Sequence, residues 1–244
     1  MKKITVFSLL LIMLVAPLVA APIPGVSLDL ATSDSPENVA VSLKILGLLT
    51  VLTLIPSILI MMTSFTRLII VFQFVKRALG LNQLPSQILI GLSLFLTFFI
   101  MSPVLSNINK NALQPYMEKK ITQKEALKVA ETGIKNFMYK QTRQKDIQLF
   151  IKHYQMPKPE TREDLPLTIM IPAFMISELR IAFQIGFILY LPFLMIDIIV
   201  SSVLLSMGMM MLPPMMISLP MKVLVFVLAD GWYLLVGSLM SGFK

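Results

Sequence analysis

The sequence predicts an all-α helical membrane protein: two kinked helical hairpins with an extramembrane helical segment between them. Three observations predict this. Of the 244 residues, 56% are hydrophobic and only 14% charged, with a mean hydropathy of +0.82; an ordinary soluble domain has about 45–50% and about 25%. Charge-free apolar runs recur, and Ile45 to Phe65 alone supplies 21 residues, enough to cross about 30 Å of hydrocarbon as a helix. The one long polar stretch, Leu105 to Pro166, carries helical rather than strand periodicity.

Taken in order, residues 1–21 read as a cleavable signal peptide. Lys2 and Lys3 precede an apolar core from Ile4 to Val15, and Val19-Ala20-Ala21 offers small residues for cleavage. Residues 22–42 form an N-terminal segment outside the cytoplasm, rich in proline and serine and carrying Asp29, Asp34 and Glu37. Residues 43–104 make the first helical hairpin. Its first arm starts at Ile45, is interrupted by Arg67 and continues to Val75; Lys76 and Arg77 follow, Gly80, Asn82 and Pro85 mark the turn, and the second arm, Ile88 to Val104, is ended by Pro103 and the asparagines 107 and 109. The two basic residues place that connection in the cytoplasm.

Residues 105–166 form the extramembrane segment on the periplasmic side, with a net charge of +5. Thr122-Gln-Lys-Glu125 is a capping box, followed by Ala126, Leu127, Val129, Ala130, Ile134, Phe137 and Met138 at helical spacing. Ile147, Phe150, Ile151 and Tyr154 give a second amphipathic helix, and Pro157, Pro159 and Pro166 close the segment. Residues 167–244 are the second hairpin, apolar except for Glu178, Arg180, Asp197, Lys222 and Asp230, and punctuated by prolines that predict kinks. Altogether four membrane spans are expected.

Inside that hairpin the run Ser206-Met-Gly-Met-Met-Met-Leu-Pro-Pro214 holds both kinds of helix breaker, so a turn centred on Met209 and Met210 brings Asp197 and Lys222 to one level, where they can neutralise each other. Glu178 and Arg180, two apart, point away from each other on a helix, so each needs a partner elsewhere.

Several function classes are excluded. The net charge of +8 is concentrated at the amino terminus and in the central segment, without an RNA or DNA recognition signature, so no nucleic-acid partner is expected. With no cysteine, a single histidine (His153) and no hydrolase motif, no catalytic residue, metal site or cofactor is expected either. A small-solute or ion transporter using Asp197, Glu178 and Lys222 as a relay is the alternative. It calls for an internal repeat, and the nearest pair, Ile55-Pro56 with Arg67 and Ile171-Pro172 with Arg180, has unequal spacings.

Four stretches carry a resemblance: Leu54 to Arg67 (LIPSILIMMTSFTR), Gly80 to Gln87 (GLNQLPSQ), Ile171 to Arg180 (IPAFMISELR) and Gly208 to Pro214 (GMMMLPP). They resemble the FliP family of flagellar type III export-gate proteins over essentially the whole chain. The signal and the basic central segment favour the flagellar branch over the injectisome branch. The resemblance implies a non-enzymatic pore subunit of the bacterial inner membrane and flagellar basal body, with much of the complex on the periplasmic side. It implies a homo-oligomeric helical ring of five copies with FliQ and FliR partners and with FlhA and FlhB docked on it, passing unfolded flagellar proteins outward. By position it makes Met209, Met210 and Met211 the pore constriction, since thioether side chains repack cheaply around varied substrates. Asp197 and Lys222 would set the hairpin or pair between subunits. Glu178 would meet a base of the adjacent copy, Arg67 being a candidate, with Phe137 and Phe150 at the same subunit contact.

Overall fold

The computed structural model describes residues 36–154, 164–209 and 212–243. The expected signal peptide, most of the N-terminal segment, Pro157, Pro159, Met210 and Met211 lie outside the described residues. The chain divides into residues 1–50, of which 36–50 are described and helical, and residues 51–244.

Among the described residues all regular structure is helical. Helix α1 is Pro36–Met61. The first apolar run was expected to continue to Phe65; it ends at Met61, where the Thr63 hydroxyl donates back to the Ile60 carbonyl (2.9 Å) and Ser64 starts a new helix. That helix, α2 (Phe65–Ala78), spaces Leu68, Val71, Phe72, Val75 and Ala78 at helical intervals, and all five are buried. It stops because Gly80 takes φ +72°: the Gly80 and Leu81 amides then donate to the carbonyls of Arg77 and Lys76, a Schellman closure open to glycine at no steric cost.

Helix α3 (Ser86–Ile108) does not end at Pro103. It passes through it and runs on by a π-helical turn, Asn109–Leu113, into α4 (Gln114–Met117). A proline removes only one helical hydrogen bond, and the asparagines feed the wider turn instead of stopping the helix. After the connection, α5 (Gln123–Gln141) begins at the capping box: the Glu125 amide donates to Thr122 Oγ1 (3.3 Å) and the Thr122 amide to Glu125 Oε2 (2.8 Å). Helix α6 is Gln144–His153.

Helix α7, Leu167–Ser206, is 40 residues long and continuous through Pro172 and Pro192. At 1.5 Å per residue it measures about 60 Å, twice the hydrocarbon thickness. Helix α8 is Pro214–Leu228 and α9 is Gly231–Ser241. The axis breaks between them by 62°, at a site without proline: Asp230 has φ +50°, and the Phe226 ring lies where a Cβ on Gly231 would sit, within 2.4 Å. Among the described residues two helical stretches are long and apolar enough to cross a membrane, Ser86–Met117 and Leu167–Ser206, and the bent α8–α9 pair makes a third if it is one span. The described apolar part of α1, Leu43–Leu54, is shorter than a span.

Two cores hold residues 51–244 together. In one, Leu68, Phe72 and Val75 of α2 meet Leu89, Ala182, Phe193 and Leu235. In the other, Phe137 and Met138 of α5 and Ile147 of α6 cover Met170, Ala173 and Phe174 of α7. Helix α7 therefore belongs to both, one end under the polar helices and the rest along α2 and α8.

Candidate functional site: a methionine turn on a charge-neutralised hairpin

The α7–α8 hairpin is shaped by its ends. Gly208 at φ +74° lets the Gly208 and Met209 amides close onto the Leu205 and Leu204 carbonyls, ending α7. Pro214 then occupies the first turn of α8, where its missing amide costs nothing. The two helices run antiparallel from there, so the reversal falls between Gly208 and Pro213, where the glycine and the proline pair predict it. Met207, Met209, Met215 and Met216 are exposed around this tip. Of the three methionines expected at a constriction, Met209 is described and Met210 and Met211 are not.

Twelve positions before Met209 and twelve after Met210, the arms carry their charges. Lys222 Nζ donates to Asp197 Oδ2 at 2.6 Å, and the Ser218 hydroxyl donates to Asp197 Oδ1 at 2.6 Å. The lysine is buried, its side chain 4% exposed, while the aspartate keeps 23%. Serine 218, one helical turn before Lys222, was not singled out in the sequence; its hydroxyl satisfies the second carboxylate oxygen, which a lysine alone leaves open. With the charges turned inward, the outward surface of the arms is apolar: Ile198, Ile199, Val203, Met221, Leu224 and Val225 are all exposed.

A second charged site sits near the other end of α7. Arg67 of α2 and Glu178 of α7 are buried, at 3% and 0% exposure. The guanidinium grips the carboxylate with two nitrogens, Nε to Oε2 at 2.8 Å and Nη2 to Oε1. Its remaining donors reach Gln141 Oε1 (3.1 Å) and the Gly242 carbonyl (3.2 Å), and its carbon lies 3.8 Å from the Phe243 ring centroid. Every face of the arginine is thus used by its own chain. Glu178 was expected to meet a base of the adjacent copy; it meets Arg67 within the chain, because the packing of α2 along α7 places them together and leaves neither side chain accessible. The two aromatic residues expected at the same contact also have partners within the chain. Phe137 stacks on Phe243 (16°, 6.3 Å between centroids) and meets Phe174 edge-on (61°, 6.1 Å), and Phe150 packs against the same internal cluster.

Next to Glu178, Ser177 ties α7 to α6. Its hydroxyl donates to Asp146 and accepts from the Arg143 amide at 3.1 Å, while Arg143 forks onto Asp146 at 2.8–3.0 Å. Burial pushes the Asp146 carboxyl up, but the Ser177 hydroxyl, the Arg143 guanidinium and the nearby Arg180 charge outweigh it and hold it below the usual carboxylate range. Arg180 itself is exposed and has no hydrogen-bond or ion-pair partner among the described residues. A cavity of about 510 Å³ opens beside the Arg67 site, lined by Val104, Phe137 and Phe243 together with Asn107, Asn136 and Lys140. Asp146, Ser177, Gln141 and Phe243 had no sequence signal; a lone serine and a terminal aromatic carry no pattern. Among the described residues no three acids or histidines cluster as metal ligands.

Comparison with known proteins points one way. Residues 48–239 match the FliP family. The chain is 58% identical to the flagellar biosynthetic protein FliP of Bacillus subtilis over 217 residues, 88% of this chain and 98% of that protein. Against the protein of the same name from Aquifex aeolicus it is 45% identical over 240 residues, 97% and 99% of the two chains. Against that of Treponema denticola it is 47% identical over 227 residues, 92% and 84%.

Proposed function

The chain belongs to the FliP family of flagellar biosynthetic proteins, and from that premise we propose that it is the pore-forming subunit of the flagellar type III export gate. It is not an enzyme; its work is to form a passage for unfolded flagellar proteins across the inner membrane. Several copies, five in the family's assembly, stand side by side in a helical ring with FliQ and FliR, and FlhA and FlhB dock on that core. Much of the complex lies on the periplasmic side, which suits a 40-residue apolar helix too long for the bilayer alone.

One observation carries this reading: the hairpin ends in a methionine turn, while its two charges are neutralised between the arms. An apolar hairpin with internal charge pairing can be surrounded by other protein without stranding a charge. Methionine at its tip gives a seal that is soft, because an unbranched thioether chain has several low-cost conformations. Met209, Met210 and Met211 of several copies then close one hole against ions and yield to a passing polypeptide.

The test is direct, since the chain has no cysteine of its own. Met209→Cys, in the chain expressed with its partners, should crosslink between copies, and removal of Met209 to Met211 should let small ions leak through the membrane. If both effects are absent, the methionine turn is not the constriction.

A further inference from the structure

Two exposed charges stand in or beside apolar surface. Arg77 of α2 and Asp230 of the α8–α9 break are both exposed, and among the described residues neither side chain has a hydrogen-bond or ion-pair partner. Asp230 stands in an apolar surface, between Val227 and Leu228 (66% and 77% exposed) and Tyr233 and Leu234 (73% and 59%). A lone carboxylate there is costly in lipid and in a dry protein contact unless a cation meets it.

The register of the helices puts the two at one height. Along α2 and α7, which run parallel, contacting residues differ in number by 111 at Arg67–Glu178 and by 112 where Phe74 covers Gly186. Arg77 therefore levels with Ile188 or Leu189. Along α7 and α8, which run antiparallel, the numbers sum to 419 both at Asp197–Lys222 and at Phe193–Phe226. The helical turn continues past Leu228, the Asp230 amide donating to the Val227 carbonyl at 3.0 Å, so Asp230 levels with Leu189 as well. Beside Arg77 the surface is hollow: a cavity of about 220 Å³ lies among Ile69, Ile70, Gln73, Phe74 and Phe183. That is room for one large side chain. Trp232 packs at the height of Phe72, so its exposed neighbour Tyr233 stands at the height of this cavity.

We propose that Arg77 of one copy and Asp230 of the next form an ion pair across the subunit contact, with Tyr233 of the second copy seated in the cavity beside Arg77. This rests on the reading that copies assemble side by side. The two patches are different, so the contact is head-to-tail and generates a ring or helix instead of a closed dimer. It also bounds the geometry: the stagger between neighbouring copies is smaller than the reach of an arginine side chain.

The test uses the full-length chain in its own membrane with its partners. The double variant Arg77→Cys/Asp230→Cys should give, on mild oxidation, a ladder of dimers and larger species. Either single variant should give no crosslink, and the two singles expressed together should give dimers only. Asp230→Arg, which sets like charges face to face, should lower association by about tenfold or more as read from crosslinks placed elsewhere on the contact; Arg77→Asp/Asp230→Arg should restore it. A crosslink only within one chain, or no ladder although Met209→Cys crosslinks between copies, overturns the proposal and leaves the pore reading standing. Absence of crosslinks at both places overturns the side-by-side assembly itself, and this contact with it.

Discussion

Arg67 and Glu178, 111 positions apart in the chain, form a two-nitrogen ion pair in which all three guanidinium nitrogens donate: the arginine also holds Gln141 at the end of α5 and the Gly242 carbonyl. One buried side chain thereby joins α2, α5, α7 and the C-terminal residues.

Glu178→Gln should therefore be severe. It keeps the shape but leaves the Arg67 charge uncompensated, a loss of about 3–5 kcal/mol. Thermal unfolding of the purified protein, or its abundance in the membrane, measures this. Replacing both partners, as in Arg67→Met/Glu178→Leu, should cost less than Glu178→Gln alone, because no buried charge remains. Equal losses in the single and double variants would contradict this account.

Acid should loosen the α6–α7 contact. Asp146 is held below its ordinary pKa, so its contribution is fully present above the unfolded carboxylate value of about 4 and is lost as pH falls through the lower folded value. Asp146→Asn should cost about 1–3 kcal/mol at neutral pH, and the two proteins should converge in stability as the pH drops towards 3. Parallel stability curves for the two across that range would count against it.

The approach of α2 to α7 depends on Gly186, where an added Cβ would lie 2.5 Å from the Phe74 ring. Gly186→Ala should lower stability by about 1–3 kcal/mol through overpacking, and adding Phe74→Leu should return part of the loss. Differential scanning fluorimetry in detergent is sufficient to rank the three proteins.

Asp197→Ala and Lys222→Ala should each reduce swimming, since each leaves its partner charged within the hairpin, at a cost of about 3–5 kcal/mol for the buried lysine. The exchange Asp197→Lys/Lys222→Asp should recover part of the motility. Swimming equal to the parent in both alanine variants would remove the pair from any role in the hairpin.

How far the sequence could be read depended on how local the signal was. The methionine turn was legible because Gly208 and Pro214 act on their own backbone, and counting outward from it levels Asp197 with Lys222. The Thr122 capping box was legible for the same reason. Arg67 and Glu178 were legible as residues that need partners, but whether the partner came from the same chain was not, because the packing of α2 along α7 is a tertiary fact with no local pattern. Proline misled in the opposite sense. Pro103 suggests a stop, yet its helix runs through, since one lost hydrogen bond is small against continuous packing. The actual break, at Asp230, depends on a non-glycine residue in a left-handed conformation and the Phe226 ring over Gly231, and nothing in the composition announces either.

The length of α7 has a mechanical consequence. Ser177 and Glu178, which fasten it to α6 and α2, stand 28 and more positions from Ser206 at its far end, beside the methionine turn. Over that lever of about 43 Å, a tilt of about 5° at the fastened end swings the turn by about 4 Å, roughly the width of a methyl group. In the proposed ring, a hole lined by several such tips would change its bore by twice that when opposite copies tilt together, so a small rocking of α7 would be enough to open or close it.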